Sequence, residues 1–120
     1  MNADYRFRVT FRLHPADARV DPDRFETTMA IPAVEPPDPG WLLFRDRLWR
    51  GEIGDSETFR AFASDRLGVD VVAVEFAELR TDEAYLSALR AAIDEDLTRF
   101  NAASVDEVLH KYLGSSIRVR

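Results

Sequence analysis

The chain has 120 residues and carries 22 acidic against 16 basic side chains, for a formal net charge of −6. It has no cysteine, which excludes disulfides, iron–sulfur clusters, Cys-zinc sites and thiol catalysis. A hydrophobic content of 46% suffices for one folded domain over residues 1–120, and no apolar run is long enough to cross a bilayer. With no evident signal peptide, a cytoplasmic location without membrane contact is expected.

The charge balance indicates an environment more than an activity. Fifteen of the sixteen basic residues are arginine, and Lys111 is the only lysine. Many carboxylates with almost no lysine suit concentrated salt, where net negative charge keeps a protein soluble. A high-GC genome also replaces lysine with arginine, but only salt adaptation predicts the excess of six negative charges.

The first third of the chain predicts two strands. From Tyr5 to His14, apolar and polar residues alternate strictly, which is typical of a half-buried strand. Residues 25–31 alternate in the same way and stop at Pro32, which predicts a second strand. A proline-rich, stiff connector follows over residues 32–40.

The segment from Trp41 to Arg50 has two interpretations. The residues at 38–39 resemble a helix start and Gly51 a helix stop, which favours a helix. Arg45 would then fall within the apolar face of that helix. A short hairpin turning at residues 45–46 is therefore the alternative.

The second half predicts further helices and strands. After a cap at Asp55, a helix places four apolar residues on its inner face and ends at Gly68. These residues are Phe59, Phe62, Ala63 and Leu67. Residues 69–79 predict a central strand, and the apolar run 71–74 indicates cover on at least part of each face.

Two more helices and a strand complete the chain. Thr81 is predicted to cap a helix whose apolar stripe runs from Tyr85 to Phe100. Residues 104–107 form a Ser-x-x-Glu capping box that opens another helix, and residues 117–119 predict a short strand. Together the elements predict an α+β two-layer sandwich: an about four-stranded, mainly antiparallel or mixed sheet with about three to four helices mostly on one face.

Two stretches resemble a known family. Leu48-Trp49-Arg50-Gly51-Glu52 and the run SVDEVLHKYLGSS at residues 104–116 are similar to the haloarchaeal proteins called LWR-salt proteins. The length and the acidic, lysine-poor composition fit across the chain. The resemblance implies a haloarchaeal source. It implies no activity and no catalytic or binding residue, because the family has no established activity.

Five arginines are predicted to lie on the polar side of the two terminal strands. They are Arg6, Arg8 and Arg12 of the first strand and Arg118 and Arg120 of the last. If those strands are neighbours, the guanidinium groups form a patch that could hold phosphates or stack on bases. The favoured alternative is pairing with Glu26 and Glu75 across the sheet, because molar salt weakens phosphate binding.

A second candidate surface combines aromatic and basic residues. Trp41 and Trp49, with Arg45 and Arg50, are of the types enriched at binding hot spots. Large aromatic side chains also fill small cores, so core packing is the competing interpretation. A buried Arg45 would need a carboxylate partner, whereas an exposed one would leave an aromatic patch on the surface.

These observations support three hypotheses for function. The leading hypothesis is a non-catalytic interaction module that binds a protein partner or itself through residues 41–50. The alternatives are an anion or nucleic-acid binder on the arginine face and a small enzyme without a recognisable motif. No cofactor or metal is expected, because no nucleotide-binding or hydrolase motif is present and His14 and His110 are the only histidines.

The charge pattern makes one testable prediction. If the carboxylates are a salt adaptation, screening should relieve self-repulsion, and the thermal midpoint should climb steeply between about 0.1 and 3 M KCl. Circular dichroism measures the midpoint. A flat response would favour codon bias as the cause of the lysine deficit.

Overall fold

The structure is a computed structural model that describes residues 1–120, and it confirms the α+β class. The strands are β1 (Ala3–Arg12), β2 (Arg24–Pro32), β3 (Leu48–Trp49), β4 (Glu52–Ile53), β5 (Asp70–Thr81) and β6 (Ile117–Val119). The helices are α1 (Leu43–Arg47), α2 (Ser56–Leu67), α3 (Glu83–Asp94) and α4 (Val105–Leu113), with a 3₁₀ turn at Leu97–Phe100.

Four strands form one mixed sheet in the order β2-β1-β5-β6. β1 is antiparallel to both of its neighbours, and β6 runs parallel to β5. The chain leaves β5 and returns to it through α3 and α4, as a parallel connection requires. Because β1 already occupies one edge of β5, β6 pairs at the opposite edge. β1 and β6 are therefore not neighbours, which corrects the arrangement considered for the arginines.

The core lies between the helices and one face of this sheet. Alternation in β1 buries Tyr5, Phe7 and Val9, and Phe7 packs on Phe59 of α2 with ring centroids 4.6 Å apart. The molecule measures 56 × 26 × 24 Å. Near the outer end of the β1–β2 hairpin, Phe11 of β1 stacks on Phe25 of β2 with ring centroids 5.6 Å apart.

Two bulges explain the apolar run in β5. The register with β1 skips Val72 and Ala77, so at each point β5 contains one residue more than its partner. Each extra residue shifts the alternation by one place, which puts both Val71 and Val74 in the core. Ala73 is exposed. The apolar run 71–74 therefore arises because the bulge shifts which residues of β5 face the core, and not because both faces of the strand are covered.

The segment 38–51 differs from both of its predicted forms. Residues 38–41 make a turn in which Trp41 N–H donates to the Asp38 carbonyl, and α1 has only five residues. The hairpin lies later, pairing Leu48–Trp49 with Glu52–Ile53. The predicted turn at residues 45–46 was wrong, and Gly51 is a turn residue instead of a helix stop.

The start and the end of α3 also differ from the prediction. Asp82 is the cap: its backbone is extended and its carboxylate accepts Tyr85 N–H at 2.8 Å. Thr81 is instead the buried last residue of β5. The pKa of Asp82 is lowered by this bond and by a second one from Asn2 N–H. α3 ends at Asp94, so Phe100 enters the core from the 3₁₀ turn.

The remaining helices match the sequence more closely. Asp55 caps α2 through Thr58 N–H, but only Phe59 and Ala63 of the predicted inner face are buried; Phe62 and Leu67 are exposed. The capping box of α4 is confirmed, since Glu107 N–H donates to Ser104 Oγ. The Glu107 carboxylate reaches back one residue further, to Ala103 N–H.

Leu89 tests the packing of α3 on the sheet. Its side chain is fully buried, so Leu89→Ala should lower the free energy of unfolding by about 2–5 kcal/mol through lost transfer energy and a cavity. Chemical denaturation in concentrated salt measures the loss. Ser87→Ala, at an exposed site on the same helix, is the control and should stay within about 0.5 kcal/mol. A loss below about 1 kcal/mol at Leu89 would contradict this packing.

Candidate functional site

The turn between β3 and β4 caps the last turn of α4. A helix leaves its last four carbonyls without intrahelical partners. In α4 two of these are satisfied locally, His110 O by Gly114 N–H and Leu113 O by Ser116 N–H. The other two accept from the turn: Arg50 N–H donates to Lys111 O at 2.8 Å and Gly51 N–H to Tyr112 O at 2.9 Å.

This contact depends on an unusual backbone conformation. Arg50 and Gly51 both have positive φ, at 52° and 78°, as a type I′ hairpin turn requires. Glycine adopts this conformation without strain, whereas arginine rarely does. The close approach also restricts size, because a Cβ at Gly51 would lie 3.2 Å from the Leu113 carbonyl oxygen.

Trp49 lies on the surface beside this turn. Its side chain is 47% exposed, and its ring meets Tyr112 of α4 edge-on at 5.8 Å. The Arg50 guanidinium carbon and Lys111 Nζ each lie 5.8 Å from the Trp49 ring centroid. Both are within range of a cation–π attraction. Lys111 Nζ is also 5.7 Å from the Tyr112 ring and donates to the Phe100 carbonyl at 3.0 Å.

An open cleft runs past these residues along the end of α4. Its volume is about 730 Å³.

 A second cleft, at the sheet edge near Arg6, measures about 490 Å³. The cleft beside Trp49 is lined by Trp49, Arg50, Glu107, His110, Lys111 and Ser115.

The sequence pattern does not indicate that residues of α4 line this cleft. Lys111 and Tyr112 lie some sixty positions after Trp49 in the chain, so no local pattern links them to it. One feature of the sequence does distinguish Lys111: it is the only lysine among sixteen basic residues. In the structure its ammonium group lies 5.8 Å from the Trp49 ring and 5.7 Å from the Tyr112 ring.

The other members of the predicted aromatic cluster lie elsewhere. Trp41 is 8% exposed and packs in the core against Phe44 and Phe100, with ring centroids 6.2 and 6.3 Å away. Arg45 is one-third exposed and pairs with the adjacent Asp46 at 3.0 Å. The structure therefore brings Trp49 and Arg50 together but separates them from Trp41 and Arg45.

Four of the five arginines predicted to line the sheet have carboxylate partners. Arg6 pairs with Asp4 at 3.1 Å, and the other pairs span 3.4–3.8 Å. These are Arg8 with Glu75, Arg12 with Asp23 and Arg118 with Glu78. Arg120 forms no ion pair in the structure; its N–H donates to the Thr81 carbonyl. Glu75 is thus a partner as predicted, whereas Glu26 is not.

The structure contains neither a metal-binding group nor a membrane-spanning helix. No group of three or more His, Cys, Asp or Glu side chains is placed to hold a metal ion. None of the helices combines the length and the apolar content that crossing a membrane requires.

The fold and this surface define a class of protein: a small α+β sandwich in which a short hairpin caps the final helix. The model of the LWR-salt protein family matches residues 1–120, so the chain belongs to that family. The resemblance carried by residues 48–52 and 104–116 is therefore confirmed, and those two stretches contact each other directly. No match was found among curated proteins or solved structures.

Gly51 tests the contact between the turn and α4. Gly51→Ala and Gly68→Ala both place a side chain at positive φ, which costs about 1–2 kcal/mol. Only Gly51 also has a neighbouring carbonyl, since nothing lies within 4 Å of a Cβ at Gly68. We expect Gly51→Ala to cost about 1 kcal/mol more in urea denaturation, because it also disturbs hydrogen bonds to α4. Equal losses would contradict the close approach.

Proposed function

We propose that the protein is a non-catalytic interaction module that binds an acidic segment of a partner protein at the Trp49 cleft. One observation carries the proposal: two cationic groups each lie 5.8 Å from the ring of an exposed tryptophan, on a chain whose net charge is −6. Tryptophan and arginine are the residues most enriched at the energetic centres of interfaces.

The charges of the cleft favour an acidic partner. Arg50 and Lys111 contribute two positive charges and Glu107, whose carboxylate accepts Ala103 N–H, contributes one negative charge, so the cleft carries a net positive charge. A partner carboxylate can therefore pair with the cations while an adjacent apolar side chain covers the Trp49 ring. Positive groups collected at one place on a negative protein also orient an incoming acidic segment.

Support for a protein partner is stronger than support for a nucleic acid. Binding of single strands uses a basic groove with successive stacking rings. Here one ring is exposed, since Tyr112 meets Trp49 edge-on and is half-buried. The excess of carboxylates over the whole chain would repel a polyphosphate beyond the cleft.

The alternative anion or nucleic-acid site on the sheet has weaker support. Its arginines Arg6, Arg8, Arg12 and Arg118 are engaged by carboxylates, which a phosphate would have to displace. The enzyme hypothesis has no positive observation in its favour. We also propose that the protein works in a salt-rich cytoplasm, which the acidic, lysine-poor composition supports.

A peptide titration tests this function. A labelled peptide Glu-Asp-Leu-Glu-Asp-Phe and its uncharged match Gln-Asn-Leu-Gln-Asn-Phe are compared by fluorescence anisotropy, at the lowest salt that keeps the protein folded. The acidic peptide should bind more tightly, because only it can pair with Arg50 and Lys111. Trp49→Ala should weaken its binding by about tenfold, equivalent to about 1.4 kcal/mol.

The control is Phe62→Ala, which removes a ring of similar exposure, 42%, on helix α2 outside the cleft lining. It should leave peptide binding unchanged. Equal binding of both peptides, or equal losses in the two variants, would contradict the proposal. Trp49-dependent binding of a single-stranded RNA, in place of the peptide, would show that the partner belongs to another class.

A further inference from the structure

β2 is an edge strand with a regular row of unpaired backbone groups. It pairs only with β1, in an unbroken antiparallel register. At the two ends of this pair, Leu13 N–H donates to Asp23 O and Ala33 N–H to Ala3 O. Antiparallel bonding alternates along a strand, so the odd-numbered residues of β2 bond to β1. The N–H and C=O groups of the even-numbered residues therefore point outward from the sheet.

This edge has little of the usual protection against pairing. Sheet edges are commonly blocked by charged side chains, especially lysine, by proline, by a bulge or by a very short strand, and of the charged residues β2 has only Arg24 and Glu26. β2 is nine residues long, has no lysine, and reaches its only proline at its last position, Pro32. The opposite edge, β6, has only three residues. Thr27, on the core side of β2, is exposed, so the helices leave the middle of the edge open.

The row of free groups is complementary to itself. Four residues offer both an N–H and a C=O: Arg24, Glu26, Thr28 and Ala30. In a twofold pairing centred on Thr27, Arg24 lies opposite Ala30 of the partner subunit and Glu26 opposite Thr28 of the partner subunit. Four residues from each copy then give about eight hydrogen bonds, one for each N–H.

The prolines select this register over its neighbours. The residue two positions after Ala30 is Pro32, the last of β2, and the residue two positions before Arg24 is Pro22, which lies in a bend outside the strand; neither has an N–H to donate. Centring on Thr27 places them opposite each other, so pairing ends at both sides without losing a donor. A twofold centred on Thr28 instead places Pro32 opposite Arg24 and leaves the Arg24 carbonyl without a donor.

We propose that β2 pairs antiparallel with β2 of a second copy of this chain, joining the two sheets into one continuous sheet. Each copy carries a net charge of −6, and the two Glu26 side chains lie diagonally across the junction. Salt screens this repulsion, so the dimer strengthens as salt rises. This interface is separate from the Trp49 cleft, so each can fail without the other.

Sedimentation velocity in about 2 M KCl, where surface charges are screened, tests the dimer. The native protein should sediment as a dimer of 13.7 kDa subunits and dissociate on dilution into low salt. Thr28→Pro removes one outward N–H from each copy and should sediment as a monomer. Thr28→Val keeps that N–H and should remain dimeric. A monomeric native protein, or a dimeric Thr28→Pro variant, would overturn the proposal.

A cysteine variant tests the register without relying on the folding of a proline variant. Thr27→Cys places two thiols opposite each other at the twofold axis, about 4.5 Å apart at Cα in a non-hydrogen-bonded pair, which a disulfide can span. Because the chain has no other cysteine, mild oxidation should give a covalent dimer. Ser87→Cys, exposed on α3, is the control and should stay monomeric on non-reducing gels. Equal cross-linking of both variants would contradict this register.

Discussion

The C-terminal end of α4 holds the β3–β4 hairpin, α4 and the central strand β5 together. Two of its four terminal carbonyls have no local donor, and a helix end without partners is costly when it packs against other elements. The amides of Arg50 and Gly51 satisfy both carbonyls, which fixes the small hairpin on the helix. Ser116, just beyond, accepts Leu79 N–H and so joins the same helix end to the central strand. One set of hydrogen bonds therefore connects the hairpin, α4 and the sheet.

The exposed tryptophan gains its support from aromatic packing beneath it. Tyr112 contacts Trp49 at 5.8 Å and Phe44 at 5.8 Å, and Phe44 stacks on Phe100 at 6.0 Å. Phe44 and Phe100 are buried, and buried rings hold their neighbours in one orientation because the core is close-packed. The Trp49 surface is thus continuous with the aromatic packing of the core.

Local patterns in the sequence predicted β1, β2 and the capping box of α4, because their signals lie within a few residues. Both Thr81 and Asp82 are residue types that can cap α3, and tertiary packing decides between them. Thr81 is buried in the sheet, so Asp82 is the cap. The β3–β4 turn was missed because Arg50 lacks the Asn or Asp typical of such turns. The cleft could not be predicted, since Lys111 meets Trp49 only through the fold. The Arg6–Asp4 ion pair could have been predicted from the sequence, because strand residues two apart share a face.

Lys111 gives the protein an uncommon chemical property. Apart from the terminal amine, its ε-amine is the only primary amine in the chain, and its nitrogen is held by the Phe100 carbonyl beside two aromatic rings. Reagents that acylate amines can therefore attach to one side chain alone. A label introduced in this way would sit in the cleft next to Trp49, where it would report directly on anything that covers that ring.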